Sequence, residues 1–204
     1  MKPNIRRIVL FALSLLMMVP CEAATGIGEH EKKSKAQKYA EKRSKDTMRE
    51  WGRYEGFSSM DLEGFAAAAA RKKLAERVET YIETIAENYQ DALGSDGYDE
   101  RGMAEKNGEA QQRTEGNYKL VADALIRNSW VVMSDRYVQK DGTVVCFVAV
   151  EVDIDDIEAG VATSKVMRKA FKEAGIDVDS QEFEDASKNT RKRYAAGKLD
   201  LSTL

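Results

Sequence analysis

On either side of the Asp141-Gly142 dipeptide, apolar and polar residues alternate along WVVMSDRYVQKDGTVVCFVAVEVD, residues 130–153, the pattern of two β-strands joined as a hairpin. Asp-Gly tolerates positive φ at both central positions, as a two-residue type I′ turn requires. Such a loop sets Lys140 opposite Thr143, Tyr137 opposite Cys146, Met133 opposite Val150 and Val131 opposite Val152. One face then carries Val131, Met133, Tyr137, Cys146, Val148, Val150 and Val152, and needs a helix to cover it. Asp135 is the misfit, falling on that face opposite Val148. A bulge or an edge position that turns it outward is expected in preference to a buried carboxylate, because an unpaired buried charge is so costly.

The cover is predicted over residues 62–93, where Leu62, Phe65, Ala66, Ala69, Leu74, Val78, Tyr81, Ile82, Ile85 and Tyr89 recur at spacings of three and four. The alanine run Ala66 to Ala70 lets a neighbouring backbone come close, and the sheet is the expected neighbour. Ser58, Ser59 or Asp61 can cap the start and Gly94 the end. Tyr81 and Tyr89 are expected to be core. The alternative is a ligand groove between this helix and the hairpin, lined by Tyr81, Tyr89 and Tyr137.

Elsewhere the pattern is weaker. Residues 32–51 read as a helix dense in Lys and Arg, with a thin apolar stripe of Ala36, Tyr39, Ala40, Met48 and Trp51, ended by the glycines and serines of 52–60. Contact with anionic lipid or polymer is one reading. A solvated helix resting on the body is preferred, since Glu41, Asp46 and Glu50 dilute the charge. Residues 95–113 are polar, glycine-rich and aperiodic, a surface loop whose acids, with Asp91, match no calcium-loop spacing. Residues 114–129 predict a helix burying Tyr118, Val121, Ala122, Leu125 and Ile126. Asp153, Asp155, Asp156 and Glu158 could be metal ligands, but they suit better the start of a helix running to Ala174, burying Val166, Met167, Ala170 and Phe171 and stopped by Gly175. A last, exposed helix is expected over 180–196, anchored by Phe183 and carrying a basic patch of Lys188, Arg191, Lys192 and Arg193.

The pattern thus predicts an α+β fold: a long helix packed on a small antiparallel sheet built around one β-hairpin, with flanking helices. Residues 24–56 form a flexible leader and Lys-rich helix, 57–176 the core domain with its polar loop at 94–113, and 177–204 an exposed helix and tail.

Residues 1–23 stand apart. Lys2, Arg6 and Arg7 precede a continuous apolar run, Ile8 to Val19, too short for a stable membrane anchor, and Cys21-Glu22-Ala23 offers small residues for cleavage before Ala24. This is the pattern of a signal peptide, so the chain is expected to be exported to a bacterial periplasm or outer-membrane periphery. Cys21 could instead take a lipid, although Pro20 occupies the site where a small residue is wanted. Cleavage leaves Cys146 as the single thiol, expected to be buried and inert. Loss of three basic residues and one acidic residue moves the net charge from −3 to −5, which argues against nucleic acid as a general partner.

Candidate chemistry is sparse. The one histidine, His30, sits in the leader, which removes His-based triads and the usual zinc sites. Cys146 has no histidine to activate it, and no phosphate-binding glycine loop, dinucleotide fingerprint or HExxH motif is present. Paired carboxylates remain the only catalytic option. No enzyme activity, cofactor or metal is expected.

The alanine-rich AAxxAARKKLAERV-type helix at Ala66 to Val78, a second helix, and then strand, Asp-Gly turn and strand resemble the LPP-twenty-like envelope lipoproteins and the N-terminal domain of flagellar assembly protein T. With its Lys-rich segment ending in Trp51, the chain looks still closer to uncharacterised secreted envelope proteins that carry such a segment. The resemblance spans residues 32–156. It implies a helix on a small antiparallel sheet and an envelope role, with no catalytic residues to carry over. The expectation for function is a non-catalytic interaction or assembly module, with an envelope protein or a second copy as partner and membrane contact peripheral at most unless Cys21 is lipidated. A small-ligand-binding periplasmic protein is the alternative.

Overall fold

The computed structural model describes residues 26–27, 33–93 and 116–199. Cys21, His30, the signal-like segment and the predicted 95–113 loop lie outside the described residues. The fold is α+β as expected. In chain order the elements are β1 (Gly26–Ile27), α1 (Lys35–Glu41), β2 (Thr47–Gly56), α2 (Leu62–Ala92), α3 (116–125), β3 (Trp130–Val138), β4 (Val144–Asp153), α4 (Ile154–Thr163), α5 (Lys165–Glu173) and α6 (Gln181–Ala195). The sheet order is β1-β3-β4-β2, with β2, β4 and β3 antiparallel and β1 adding a two-residue parallel step at Tyr137 and Val138.

The expected Lys-rich helix over 32–51 is corrected. It stops at Glu41, where Lys42 is already extended, and Thr47–Gly56 is a strand pairing along its whole length with β4. The glycines read as a helix breaker belong to this strand. The reason is geometric: a Cβ on Gly52 would lie 2.0 Å from the Ala66 carbonyl oxygen and 2.5 Å from the Ala70 nitrogen of α2. The alanine run does bring α2 against the sheet, and the strand it meets there has no side chain of its own.

The hairpin exists, in a different register. Gln139 and Thr143 close it, with the Gln139 amide donating to the Thr143 carbonyl at 2.8 Å and the Gly142 amide to the Gln139 carbonyl at 3.0 Å. Only Gly142 has positive φ, at 85°. Asp141 instead turns its carboxylate onto the Thr143 amide at 2.9 Å and hydroxyl at 2.7 Å. The loop is therefore three residues with a left-handed glycine, not a type I′ pair. One extra loop residue slips the pairing by one, so Tyr137 faces Val145, Asp135 faces Phe147 and Met133 faces Ala149. A slip of one sends side chains to the other face. Tyr137 and Met133 accordingly leave the α2 side, while an irregularity between Val131 and Met133 returns Val131 to it, opposite Val150.

β4 is the central strand, and Val144 through Val152 are buried on both faces. On one face Cys146, Val148, Val150 and Val152 join Met48 and the α2 stripe of Leu62, Ala66, Ala70, Leu74 and Val78. On the other Val145, Phe147 and Ala149 meet Ala36 and Ala40 of α1. α2 has 31 residues, so at 1.5 Å per residue it runs about 46 Å, longer than a ten-residue strand can cover at about 33 Å. Its C-terminal half is buried by the helices that follow: Tyr118, Phe171 and Phe183 form a ring cluster with Tyr89.

Three helix expectations change. The helix after the hairpin breaks at Ser164, extended at ψ 121°, whose hydroxyl caps α5. Val166 is 40% exposed, while Met167, Ala170 and Phe171 are buried as read. The C-terminal helix is not simply exposed: Phe183, Ala186 and Thr190 are buried. No described helix is long and apolar enough to cross a membrane.

Gly52→Ala should destabilise the protein by about 3 kcal/mol, the upper range for forcing atoms into a filled site. Urea unfolding of the variant measures it, and a loss under about 1 kcal/mol would show that β2 and α2 separate readily there.

Candidate functional site

Polar groups converge at three places, two of them around an acid inside a strand and one around a buried tyrosine of α2. Asp135 is the first. Contrary to expectation it is not turned outward: it is 3% exposed, on the face covered by α1, and its Oδ2 accepts from the Ala36 backbone amide at 2.7 Å. Ser34 caps the same helix, its hydroxyl accepting from the Gln37 amide while Gln37 Oε1 accepts from the Ser34 amide. The first turn of a helix has amides without partners and a positive dipole end. Asp135 meets both needs, so its burial is compensated.

Glu151 is the second, the one acid inside the otherwise apolar run of β4. Its Oε2 accepts from Arg49 Nε at 2.8 Å and from the Tyr39 hydroxyl at 2.9 Å. The Arg49 guanidinium also lies 4.4 Å from the centre of the Tyr39 ring. Burial, and then the hydrogen bond to Glu151, push the Tyr39 hydroxyl above the ordinary tyrosine range. Asp135 and Glu151 thus hold α1 at two points. A seven-residue helix has too few internal hydrogen bonds to persist alone.

The third cluster surrounds Tyr81, which is fully buried and donates to Glu158 Oε1 at 2.8 Å. Glu158 Oε2 lies 3.5 Å from Arg191 Nη1, which also reaches Asp155 at 2.5 Å, while Arg191 Nη2 lies 3.6 Å from Asp46. The Arg191 Nε donates to the Lys45 carbonyl at 3.3 Å, and the Tyr194 hydroxyl to the Thr47 carbonyl at 3.3 Å. This network fastens α6 to α4 and to the start of β2. Burial, with Glu158 next to it, drives the Tyr81 hydroxyl far above its usual range.

The three tyrosines of the expected groove do not converge. Tyr81 and Tyr89 lie on α2, and the Tyr89 hydroxyl accepts from the Asp177 amide at 3.2 Å. Tyr137 is on the opposite face of the sheet, edge-on to Phe147 with centroids 5.9 Å apart. The helix–sheet interface between them is filled by Ala66, Ala70, Leu74, Val78, Val148 and Val150. The acids after the hairpin sit where a helix start was expected, Asp155 and Asp156 in the first turn of α4. Among the described residues no three His, Cys, Asp or Glu side chains are placed to hold a metal ion.

In the expected basic patch, Arg191 is spent as above, Arg193 reaches Asn88 Oδ1 at 3.1 Å, and Lys188 pairs with Glu184. Cys146 is fully buried, and burial raises its thiol above the ordinary range, with Ser134 Oγ 3.9 Å from its sulfur. Among the described residues every buried side-chain nitrogen and oxygen has a hydrogen-bond partner. What these groups do is hold α1, α4 and α6 in place. The signals that could have found them were Asp135 and Glu151 themselves, two acids in strands whose other members are largely apolar.

Asp135→Ala should cost about 2 kcal/mol by stranding the first-turn amide of α1, and Asn, which keeps an acceptor, about half of that. Hydrogen exchange of the α1 amides should accelerate in the alanine variant while β4 stays protected; equal loss in both would show that α1 is not held separately. A tyrosine whose folded pKa is raised adds stability below its unfolded pKa of about 10, and that stability is lost as pH climbs from there toward the folded value. Tyr81→Phe should therefore cost about 1 kcal/mol at neutral pH and flatten the decline above pH ~10, as followed by urea unfolding across pH; an unchanged slope would place the alkaline loss elsewhere.

Comparison with protein-family models, with curated proteins and with solved structures gave no match to this chain.

Proposed function

We propose that this protein is a non-catalytic, exported component of a bacterial cell envelope, acting as an interaction or assembly module. The reading is supported first by residues 1–23, whose basic start, short apolar run and small residues before Ala24 match a cleaved export signal. The observation that carries the module half is how the polar groups are used. Asp135, Glu151, Glu158 and Arg191, the polar groups that converge inside the described fold, are each committed to a neighbouring helix. Large apolar side chains meanwhile remain outside: Phe57 is 69% exposed at the β2–α2 turn, with Met60 and Phe65 beside it and Tyr54 stacked on Phe65 at 4.7 Å. Exposed apolar groups gathered at one corner of a well-packed domain suit contact with another protein. The α+β architecture, with a long helix on a hairpin-centred sheet, agrees with the envelope-lipoprotein resemblance.

Expression of the full chain in a bacterial host, followed by fractionation and mass spectrometry of the N-terminus, tests the reading. The expected product starts at Ala24 and is periplasmic. A product starting at a diacylated Cys21 would also be exported, with a membrane anchor. An intact precursor that remains in the cytosol overturns the proposal.

A further inference from the structure

Two basic stretches far apart in sequence are brought together by the fold. On α1, Lys35 and Lys38 lie away from the buried Ala36 and Ala40, Lys42 follows at the extended C-terminal cap, and all three are exposed. Beyond the helix, Arg43 and Lys45 are exposed on the connection to β2. The C-terminal turn of α6 arrives at this connection: the Arg43 guanidinium fills the space above Gly197, and Arg191 and Tyr194 hydrogen-bond the Lys45 and Thr47 carbonyls. That contact adds exposed Lys192 and Lys198 to the same corner. None of these seven cations forms an ion pair among the described residues. The acids that border the corner are Glu41, paired with Lys33 at 2.7 Å, and Asp46, Asp155 and Glu158, which share Arg191 at 3.6, 2.5 and 3.5 Å. The chain as a whole carries net charge −3, so this is local segregation of charge, not an overall excess.

We propose that this corner is an electrostatic docking surface for an anionic phospholipid bilayer. Six of the seven groups are lysines, point charges on flexible stems, and they wrap a helix face and a helix end. No exposed aromatic side chain lies among them to stack on a base, and no apolar centre is present on which a protein partner could pack. The exposed Phe57 and Met60 follow Gly56, at the opposite end of β2 from Thr47. A broad layer of lipid phosphates is the surface that such an array matches, without insertion. The inference gives the envelope reading a particular kind of surface, and depends on that reading only for where the surface is met.

The test is co-sedimentation of the full chain with vesicles of phosphatidylcholine alone and of phosphatidylcholine mixed with phosphatidylglycerol, at low and high salt. The leader, with its own Lys2, Arg6 and Arg7, is the same in the parent and in every variant, so the change in lipid preference between parent and variants reads the basic corner. The parent should prefer anionic vesicles, and salt should remove the preference. Each lysine near an anionic membrane contributes about fivefold, so K35E/K38E/K42E should reduce the preference by about 100-fold or more and K192E/K198E by at least ~25-fold. Lys→Arg replacements at the same five positions should retain it, and unchanged thermal unfolding midpoints show that the variants remain folded. Equal binding to both lipids, a preference untouched by the Glu variants, or tighter binding to a duplex DNA oligomer at the same salt would each overturn the proposal. Failure of export in the fractionation experiment leaves the vesicle result standing, so the two readings fail separately.

Discussion

The contact of Gly52 with the backbone of α2 at Ala66 and Ala70 sets the spacing from which the rest of the molecule is built. Side-chain packing normally holds a helix about 10 Å from a sheet, and small residues on both sides allow closer approach. Here the helix contributes alanines and the strand a glycine, so backbone meets backbone at one point. From that point the larger residues fan out, Leu74 and Val78 over β4 and Tyr81 and Ile85 past the end of the sheet. The position of α2 along the strands then fixes where α4, α5 and α6 must gather to bury what the sheet leaves uncovered.

The other face of the sheet is closed by a different device. α1 offers Ala36 and Ala40 and part of the Tyr39 ring to the core, little apolar surface to hold a helix. Two carboxylates make up the deficit, Asp135 at its first turn and Glu151 through Tyr39. Burying an acid in a strand is costly unless its partners are supplied, and here the partners are the groups a short helix leaves unsatisfied or half-exposed. The polar and apolar halves of the structure are thus complementary: the alanine-rich long helix is held by packing, the lysine-rich short helix by hydrogen bonds.

Much of this architecture was legible in the sequence, and the parts that were not share a cause. The α2 stripe apart from Phe65, which is 46% exposed, the close approach allowed by Ala66 to Ala70, the hairpin, the buried Cys146 and the helix start at Asp155 and Asp156 all follow from periodicity and residue chemistry. β2 was hidden because its most tightly packed position is Gly52, which adds no apolar letter to an alternating pattern, and because the lysines before it extend a helical composition. The register was misjudged because Asp141 uses its carboxylate to bind Thr143 instead of adopting positive φ, and that choice is invisible in the dipeptide. The one-residue slip carries Tyr137 and Asp135 to the α1 face, away from Tyr81 and Tyr89. The polar networks lay beyond reach for a further reason: Tyr81 with Arg191, and Glu151 with Tyr39, meet across more than a hundred residues.

Those long separations bear on how the chain matures. Thr47 is held by Tyr194, and Asn88 by Thr190, so neither β2 nor the far half of α2 gains its last support until the final helix has been synthesised. Contacts that close such large loops form slowly, and the chain stays open for longer than one folded through local pairs. A polypeptide that locks only on arrival of its C-terminal helix has its two layers joined last, by the same segment that ends its synthesis.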